Sequence, residues 1–191
     1  MHTIKIITLL IIFVSCNVEN NTPGKIRTYY SIDSVLNQQR EILNNLNPRL
    51  QKLAWVDQQQ DTTSVRLDSA GWAREMQIFN NISINKPALR DSYLIDSTQA
   101  EDGIWVSYTA KEALKEELEI EYMHIFFNNN RKLQEVELLY KELGSLYNSK
   151  RKMHLGFNQN QLLSNYKING YQKIILKDTI RYRINASIIY D

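Results

Sequence analysis

The chain has 191 residues, and its 23 Lys and Arg against 21 Asp and Glu leave a formal net charge of +2, a balance that argues against nucleic acid as a partner. It contains one cysteine, which excludes an intramolecular disulfide and a zinc site built on several thiolates. The length is sufficient for one ordinary domain that folds without crosslinks.

The first sixteen residues have the parts of a secretory signal. Lys5 precedes the apolar run 6–14, and Ser15-Cys16 follows that run. The run is too short to span a bilayer, and a small residue before the cut is typical of a signal peptide. The segment Ile12–Cys16 resembles the lipobox of bacterial lipoproteins, although Phe13 stands where that pattern usually has Leu.

The resemblance implies that Cys16 is modified with diacylglycerol and becomes the new N-terminus. Residues 1–15 would then be a lipoprotein signal peptide, and residues 16–30 a lipidated cysteine followed by a flexible tether. Asn17 follows the cysteine where Asp would be expected for retention, which is compatible with an outer-membrane location. An ordinary secretory signal with an incidental cysteine, or an N-terminal anchor, remains the alternative.

Residues 31–96 are predicted to be helical. Leucines and other apolar residues recur at three- and four-residue spacing from Ile32 to Leu53, which predicts an amphipathic helix kinked at Pro48. A polar turn over 57–63 would lead to a second helix capped by Thr62 or Thr63. The apolar face of that helix would contain Val65, Trp72, Met76 and Phe79. A short third helix is expected from Pro87 through Leu94, followed by a loop over 96–103.

From Ile104 the apolar period drops toward two, which predicts an antiparallel sheet over residues 104–191. The expected strands are 104–110, 118–127, 133–143, 152–157, 161–168, 171–176 and 180–189. Asn169-Gly170 predicts a type I′ turn between two of them, because both central residues of that turn need positive φ. A helix over 111–146 is the alternative, since its Leu, Glu and Lys content also fits one.

The predicted fold class is therefore α+β. A helical pair plus a short helix would pack on one face of an antiparallel meander of about six strands, and residues 31–191 would form one compact domain.

Charge is uneven along the sheet. Acidic residues outnumber basic ones by eight to five in 104–145, and basic residues outnumber acidic ones by eight to two in 146–191. Either acidic and basic strands pair side by side, or a basic face is turned to anionic headgroups, a polyanionic polymer or an acidic partner.

Few residues suggest chemistry. His124 is expected to be packed among aromatic neighbours, and His154 to be solvated beside basic residues. Glu117, Glu119 and Glu121 would share one side of a strand, which could bind a hard cation but more simply forms an acidic face balanced by lysines. A second acidic group lies in the expected loop and consists of Asp96, Glu101 and Asp102. The aromatic candidates for a ligand groove are Trp55, Trp72, Trp105 and the eleven tyrosines.

These observations predict a membrane-anchored envelope lipoprotein with a non-catalytic binding or structural role. Its expected partners are the membrane, through the lipid at Cys16, and an envelope protein or polymer. No catalytic residue, cofactor or metal site is predicted. The alternative is a carrier or sensor that holds a hydrophobic ligand or glycan between the helices and the sheet.

Overall fold

The computed structural model describes residues 29–190, so Cys16, the predicted signal peptide and nearly all of the predicted tether lie outside the described residues. Within this range the chain forms two α-helices and nine strands of one antiparallel sheet. The helices are α1 (Ile32–Leu46) and α2 (Ser69–Met76). The strands are β1 (Arg49–Val56), β2 (Gln59–Arg66), β3 (Tyr93–Ala100), β4 (Gly103–Ala110), β5 (Ile120–Asn128), β6 (Leu133–Leu143), β7 (Tyr147–Phe157), β8 (Leu163–Ile174) and β9 (Ile180–Ile189). Short 3₁₀ turns lie at Gln77–Phe79, Pro87–Leu89 and Glu112–Leu114.

The sheet is a meander with one hairpin added. Strands β3 to β9 follow one another in chain order, and the β1–β2 hairpin joins the far side because β1 pairs with β9. Among the described strands, β2 and β3 are therefore the two edges. Because every pair is antiparallel, successive hairpin turns alternate between the two ends of the sheet.

Both helices pack against one face of the sheet, which we call the inner face; the opposite one is the outer face. The helices bury Leu36 and Leu43 of α1 and Trp72 and Met76 of α2. The inner-face residues of the sheet that complete this core are Leu50, Tyr108, Met123, Ile125, Val136, Leu138, Tyr140, Met153, Leu155, Tyr166, Ile168, Ala186 and Ile188. Burial of this apolar surface is the main source of stability for the helix–sheet packing.

Two polar contacts set how the helices dock. The buried Gln39 side chain donates to the carbonyl oxygen of Gln161 at 2.9 Å and accepts from the Leu163 N–H at 2.8 Å. On α2, the Glu75 carboxylate accepts from the Lys52 ammonium at 2.7 Å and from the Tyr166 hydroxyl. Each helix is thus tied to the sheet at one position, in addition to its apolar contacts.

The prediction of about six strands is wrong, because the described chain has nine. Part of the error lies at Pro48, where the prediction of a kinked helix is also wrong. Asn47 adopts the left-handed conformation, with φ 44°, and its N–H bonds to the carbonyl of Leu43, which ends α1. The leucines that keep helical spacing across Pro48 lie partly in α1 and partly in β1, where Leu50 faces the core.

Two further strands lack the expected apolar pattern. β2 is an edge strand with almost every residue exposed, so apolar and polar residues do not alternate along it. The sequence of this segment therefore predicts a polar turn followed by a helix. The helix instead begins after Asp68, whose carboxylate caps it by accepting from the Gly71 N–H at 2.7 Å. β3 occupies most of the expected loop over 96–103, and the expected helix from Pro87 is reduced to one 3₁₀ turn.

The predicted turn at Asn169-Gly170 is also wrong. Both residues lie inside β8, which runs unbroken from Leu163 to Ile174, and Gly170 does not have positive φ. The inner face explains the glycine. A Cβ on Gly170 would lie 2.8 Å from the tip of the Tyr182 ring and 2.9 Å from the Lys150 carbonyl oxygen. Glycine is therefore required here because the Tyr182 ring and the β7 backbone occupy the space that a side chain would need.

Other strand predictions are confirmed. β6 and β9 have the predicted bounds, and the residues of β5 and β6 exclude the alternative helix over 111–146. The triple asparagine 128–130 leads into the turn between β5 and β6. The Asn128 side-chain oxygen accepts from the N–H groups of Asn130 and Lys132, and Arg131 takes a φ of 58°.

Candidate binding surface

Side chains from successive strands form rows across the outer face. Neighbouring strands are about 4.8 Å apart, so residues in register lie within reach of one another. One row from β4 to β9 consists of Ser107, His124, Glu137, His154, Lys167 and Asn185. The next row from β5 to β1 consists of Tyr122, Leu139, Lys152, Asn169, Arg183 and Trp55.

Acidic residues of β5 and β6 pair with basic residues of β7 on the outer face; β6 lies between the other two strands. The Lys152 ammonium is 2.9 Å from the Glu137 carboxylate, and this hydrogen bond raises the pKa of Lys152. Glu121 lies 3.3 Å from Lys150 and 3.5 Å from Lys115. Partial burial alone would raise the pKa of Glu121, but the two lysines outweigh it and lower that pKa. Pairing across the sheet therefore accounts for part of the uneven charge distribution.

The basic residues of β8 and β9 lie beyond the reach of these acids. Lys167, Arg181 and Arg183, which we call the basic patch, are exposed on the outer face. No carboxylate of the described residues forms an ion pair with any of the three. The acidic residues of β6 are two or three strand spacings away, about 10–14 Å. The patch is thus available to an anionic group from outside.

An aromatic ring adjoins the basic patch. The Arg183 guanidinium lies 5.4 Å from the centre of the Trp55 ring, within the range of a cation–π contact. These residues line an open concavity of about 370 Å³ together with Asn169, Arg181 and Asp57. The Asp57 carboxylate accepts from the backbone N–H of Arg181 at 2.9 Å, and the exposed Arg181 side chain has no hydrogen-bond or ion-pair partner among residues 29–190.

The sequence contained half of this arrangement. The alternation of β9 places Arg181 and Arg183 on the face opposite the apolar residues, and that alternation is confirmed. Trp55 could not be placed beside them, because its strand was interpreted as part of a helix and no local signal shows that β1 pairs with β9.

The two histidines lie in the first row of the outer face but belong neither to the basic patch nor to the lining of its concavity. The His124 ring stacks on the Tyr122 ring with centres 4.6 Å apart, which confirms the prediction of an aromatic environment. Nε2 of His154 lies 3.3 Å from Glu135, so this histidine has a carboxylate partner where a solvated side chain was expected. In the described part of the chain, Ser107 and His124 are in register but no hydrogen bond joins their side chains.

The predicted acidic groups do not converge. Glu117 lies in the connection before β5, so it does not share a strand face with Glu121 as expected. Glu119 is 3.7 Å from Lys86, and Glu121 is held by other lysines, which agrees with acids balanced by lysines. Asp96 lies in β3, and Glu101 and Asp102 form the turn between β3 and β4. Within residues 29–190, no three His, Asp or Glu side chains are placed to hold a metal ion.

The space between the helices and the sheet bears on the carrier alternative. Trp72 is fully buried, as its position on the apolar stripe predicted. A concavity of about 260 Å³ lies between α1 and the segment after α2. Polar residues Asp33, Asn37, Arg40, Asn80 and Ser83 form much of its lining. A hydrophobic ligand would take these polar groups out of water at a cost that its apolar contacts would have to offset, so this concavity does not favour the carrier alternative.

Comparison of the chain with models of protein families, with characterised proteins and with solved structures found no match. Neither helix within residues 29–190 is long and apolar enough to cross a bilayer.

Proposed function

We propose that this protein is a lipid-anchored component of the bacterial cell envelope, with a non-catalytic binding role. Its binding surface is the basic patch with Trp55, and its partner is an acidic segment of another envelope protein. The observation that carries the proposal is the Arg183 side chain stacked on Trp55, beside an Arg181 and a Lys167 that have no carboxylate partner among the described residues.

The chemistry of these residues supports a protein partner. Arginine binds carboxylates through two parallel hydrogen bonds, and an adjacent aromatic ring adds contact area at small entropic cost. Trp, Tyr and Arg are the residues that most often dominate the binding energy of protein interfaces. Trp55, Arg183 and the exposed Tyr171 give the surface this composition.

Site-specific photo-cross-linking in intact cells tests the binding surface. A photoreactive amino acid replaces Asn169, which is exposed at the centre of the patch, or Thr109, which is exposed on the outer face of β4 as a control position. We expect an adduct with an acidic peptide from position 169 and not from position 109. An adduct with an anionic glycan polymer instead would contradict a protein partner.

Charge reversal then tests which residues hold the partner. Arg181→Glu/Arg183→Glu is expected to abolish the adduct because it replaces attraction by repulsion. Arg90→Glu/Lys132→Glu makes the same charge change at exposed sites away from the patch and is expected to leave the adduct intact. Equal adduct yields in the two double variants would contradict the assignment of the patch.

The lipid anchor is tested separately. Cys16→Ser removes the thiol that would take the lipid, so we expect the variant to lose incorporation of a labelled fatty acid and to leave the membrane fraction. A Cys16→Ser protein that is still labelled, or that still sediments with membranes, would refute the anchor without bearing on the binding patch.

A further inference from the structure

One end of the sheet exposes a cluster of apolar side chains on two adjoining turns. Leu146 lies in the β6–β7 turn, and Ile175 and Leu176 lie in the β8–β9 turn; we call these three residues the turn-end cluster. Their relative exposures are 69%, 56% and 100%. The Ile175 N–H donates to the Leu146 carbonyl at 3.0 Å, so the two turns are held together.

The turn at Leu176 offers no folding reason for an apolar residue. Leu176 adopts a positive φ of 61°, a conformation that Gly or Asn takes at lower cost. Its side chain gains no burial in return, because it is fully exposed. Exposed leucine at a strained turn tip is what contact with something outside the chain would require.

The charges beside the cluster are complementary to anionic headgroups. Lys173 and Lys177 flank the β8–β9 turn. The acids near the cluster are Asp178, Asp57, which accepts from the Arg181 N–H at 2.9 Å, and Glu142, which accepts from the Tyr147 hydroxyl. The β6–β7 turn is followed by the basic run 150–152, of which Lys150 and Lys152 are paired with glutamates. Apolar residues with lysines around them are the composition of segments that enter the interface of anionic membranes.

Acidic residues at the same end lie on its other side. The connection between β4 and β5 contains Glu112, Glu116, Glu117 and Glu119. It is bound to the end of β6, where Lys141 lies 3.5 Å from Glu116, and it is about three strand spacings, roughly 14 Å, from the β8–β9 turn. Repulsion from anionic headgroups would hold this connection in solvent. Of the two turns, the β8–β9 turn, which carries Ile175 and Leu176, is therefore the better placed to face an anionic membrane.

The described chain also starts at this end. Tyr29 donates its hydroxyl to the Leu89 carbonyl and packs on Tyr93, the first residue of β3. From Tyr29 back to Cys16 a fully extended chain reaches at most about 45 Å. The width of the sheet from β3 to β8 is five strand spacings, about 24 Å. A lipid at Cys16 and the turn-end cluster can therefore reach the same leaflet.

We propose that the turn-end cluster inserts into the interface of an anionic lipid bilayer and orients the domain with its basic patch accessible beside the membrane. The proposal rests on the proposed lipid anchor for its proximity to a bilayer. Insertion of the turn-end cluster is measured by quenching at position 176, whereas the lipid anchor is measured separately by flotation.

Tryptophan quenching in vesicles tests the insertion. The full chain is reconstituted in excess vesicles of phosphatidylcholine and phosphatidylglycerol that contain a lipid with a quenching group in its acyl chain. The variant is Leu176→Trp, and its matched control is Leu46→Trp, which is 55% exposed at the opposite end of the sheet. The emission of the unsubstituted protein is subtracted in both cases.

We expect most of the emission added at position 176 to be quenched, and the emission added at position 46 to be unaffected. Quenching at 176 should weaken in pure phosphatidylcholine vesicles and in the Lys173→Glu/Lys177→Glu background. No quenching at 176, or equal quenching at 176 and 46, would overturn the proposal. Blue-shifted emission from position 176 in the Cys16→Ser full chain without vesicles would also overturn it, because a second copy would then cover the cluster.

Flotation of the same vesicles reports the lipid anchor independently. A protein that floats with the vesicles but shows no quenching at position 176 would retain the anchor and lose the insertion. A protein that is quenched at position 176 but has no lipid on Cys16 would retain the insertion and lose the anchor. The two proposals can therefore fail separately.

Discussion

Substitutions at Asn169 and Gly170 distinguish a strand from a turn at the position where sequence and structure disagree most. In β8, Asn169 points to solvent on the outer face, whereas Gly170 faces Tyr182 on the inner face. We therefore expect Gly170→Ala to destabilise the protein and Asn169→Val to have little effect. A type I′ turn would give the opposite order, because a β-branched residue does not adopt the positive φ that the turn needs.

The magnitude follows from the contacts that a new Cβ would make. It would lie 2.8 Å from the Tyr182 ring tip and 2.9 Å from the Lys150 carbonyl oxygen. The ring can move aside, but the carbonyl belongs to β7 and cannot move without disturbing the strand pairing. Overpacking of this kind costs about 1–3 kcal/mol, and replacing Gly by Ala in a strand returns about 0.5–1 kcal/mol. The expected net loss is about 1–2 kcal/mol.

Unfolding in urea and by heat measures these effects. A loss of about 1–2 kcal/mol lowers the melting temperature of a domain of this size by roughly 2–8 °C, whereas Asn169→Val should stay within about 0.5 kcal/mol of the unsubstituted protein. Tyr182→Leu shortens the opposing side chain and should recover part of the loss in the Gly170→Ala background. An unchanged stability for Gly170→Ala, or a larger loss for Asn169→Val, would refute the assignment of Gly170 to close packing.

Two further predictions concern the contacts that dock the helices. Gln39→Leu leaves the Gln161 carbonyl and the Leu163 N–H without their partner and is expected to cost about 2–4 kcal/mol in urea unfolding, whereas Gln38→Leu on the exposed side of α1 should be nearly neutral. Equal losses at the two positions would contradict a stabilising role for the two hydrogen bonds of Gln39. Burial and the Glu75 carboxylate raise the pKa of Tyr166 above its ordinary value of 10.0, so its contribution is complete below pH 10 and is lost as the pH rises further. Tyr166→Phe should therefore lower stability by about 1.5–3 kcal/mol at neutral pH and reduce the fall of stability above pH 10, and a fall parallel to that of the unsubstituted protein would contradict this.

The sequence predicted best the elements that are half-buried. β9 alternates between inner-face and exposed residues, and β6 alternates between buried and half-buried residues from Val136 to Tyr140. This alternation is a local property that needs no knowledge of the neighbouring strands. α1 was recognised for the same reason, since its buried residues Ile32, Leu36 and Leu43 recur at helical spacing. Its end was missed because the spacing of leucines continues by coincidence into β1.

The candidate binding surface was only partly predictable. The excess of basic residues after Leu146 was visible, and so were the two ways in which it could be used. The strand order alone decides which basic residues pair with acidic strands and which stay available to an external anionic partner. β7 lies beside β6, so Lys152 pairs with Glu137, whereas Arg181 and Arg183 are too far from those acids.

By itself, the sequence determined the helical residues of α1, the strands β4, β5, β6 and β9, and the resemblance of Ile12–Cys16 to a lipobox, because each depends on neighbours within a few residues. The tertiary structure decided where β1, β2 and β3 form, why Gly170 is small and that Trp55 lies against Arg183. Edge strands gain their stability from hydrogen bonds to a partner strand and carry little periodicity of their own. Contacts between residues more than a hundred positions apart leave no trace in a local pattern, so they emerge only when the sheet is assembled.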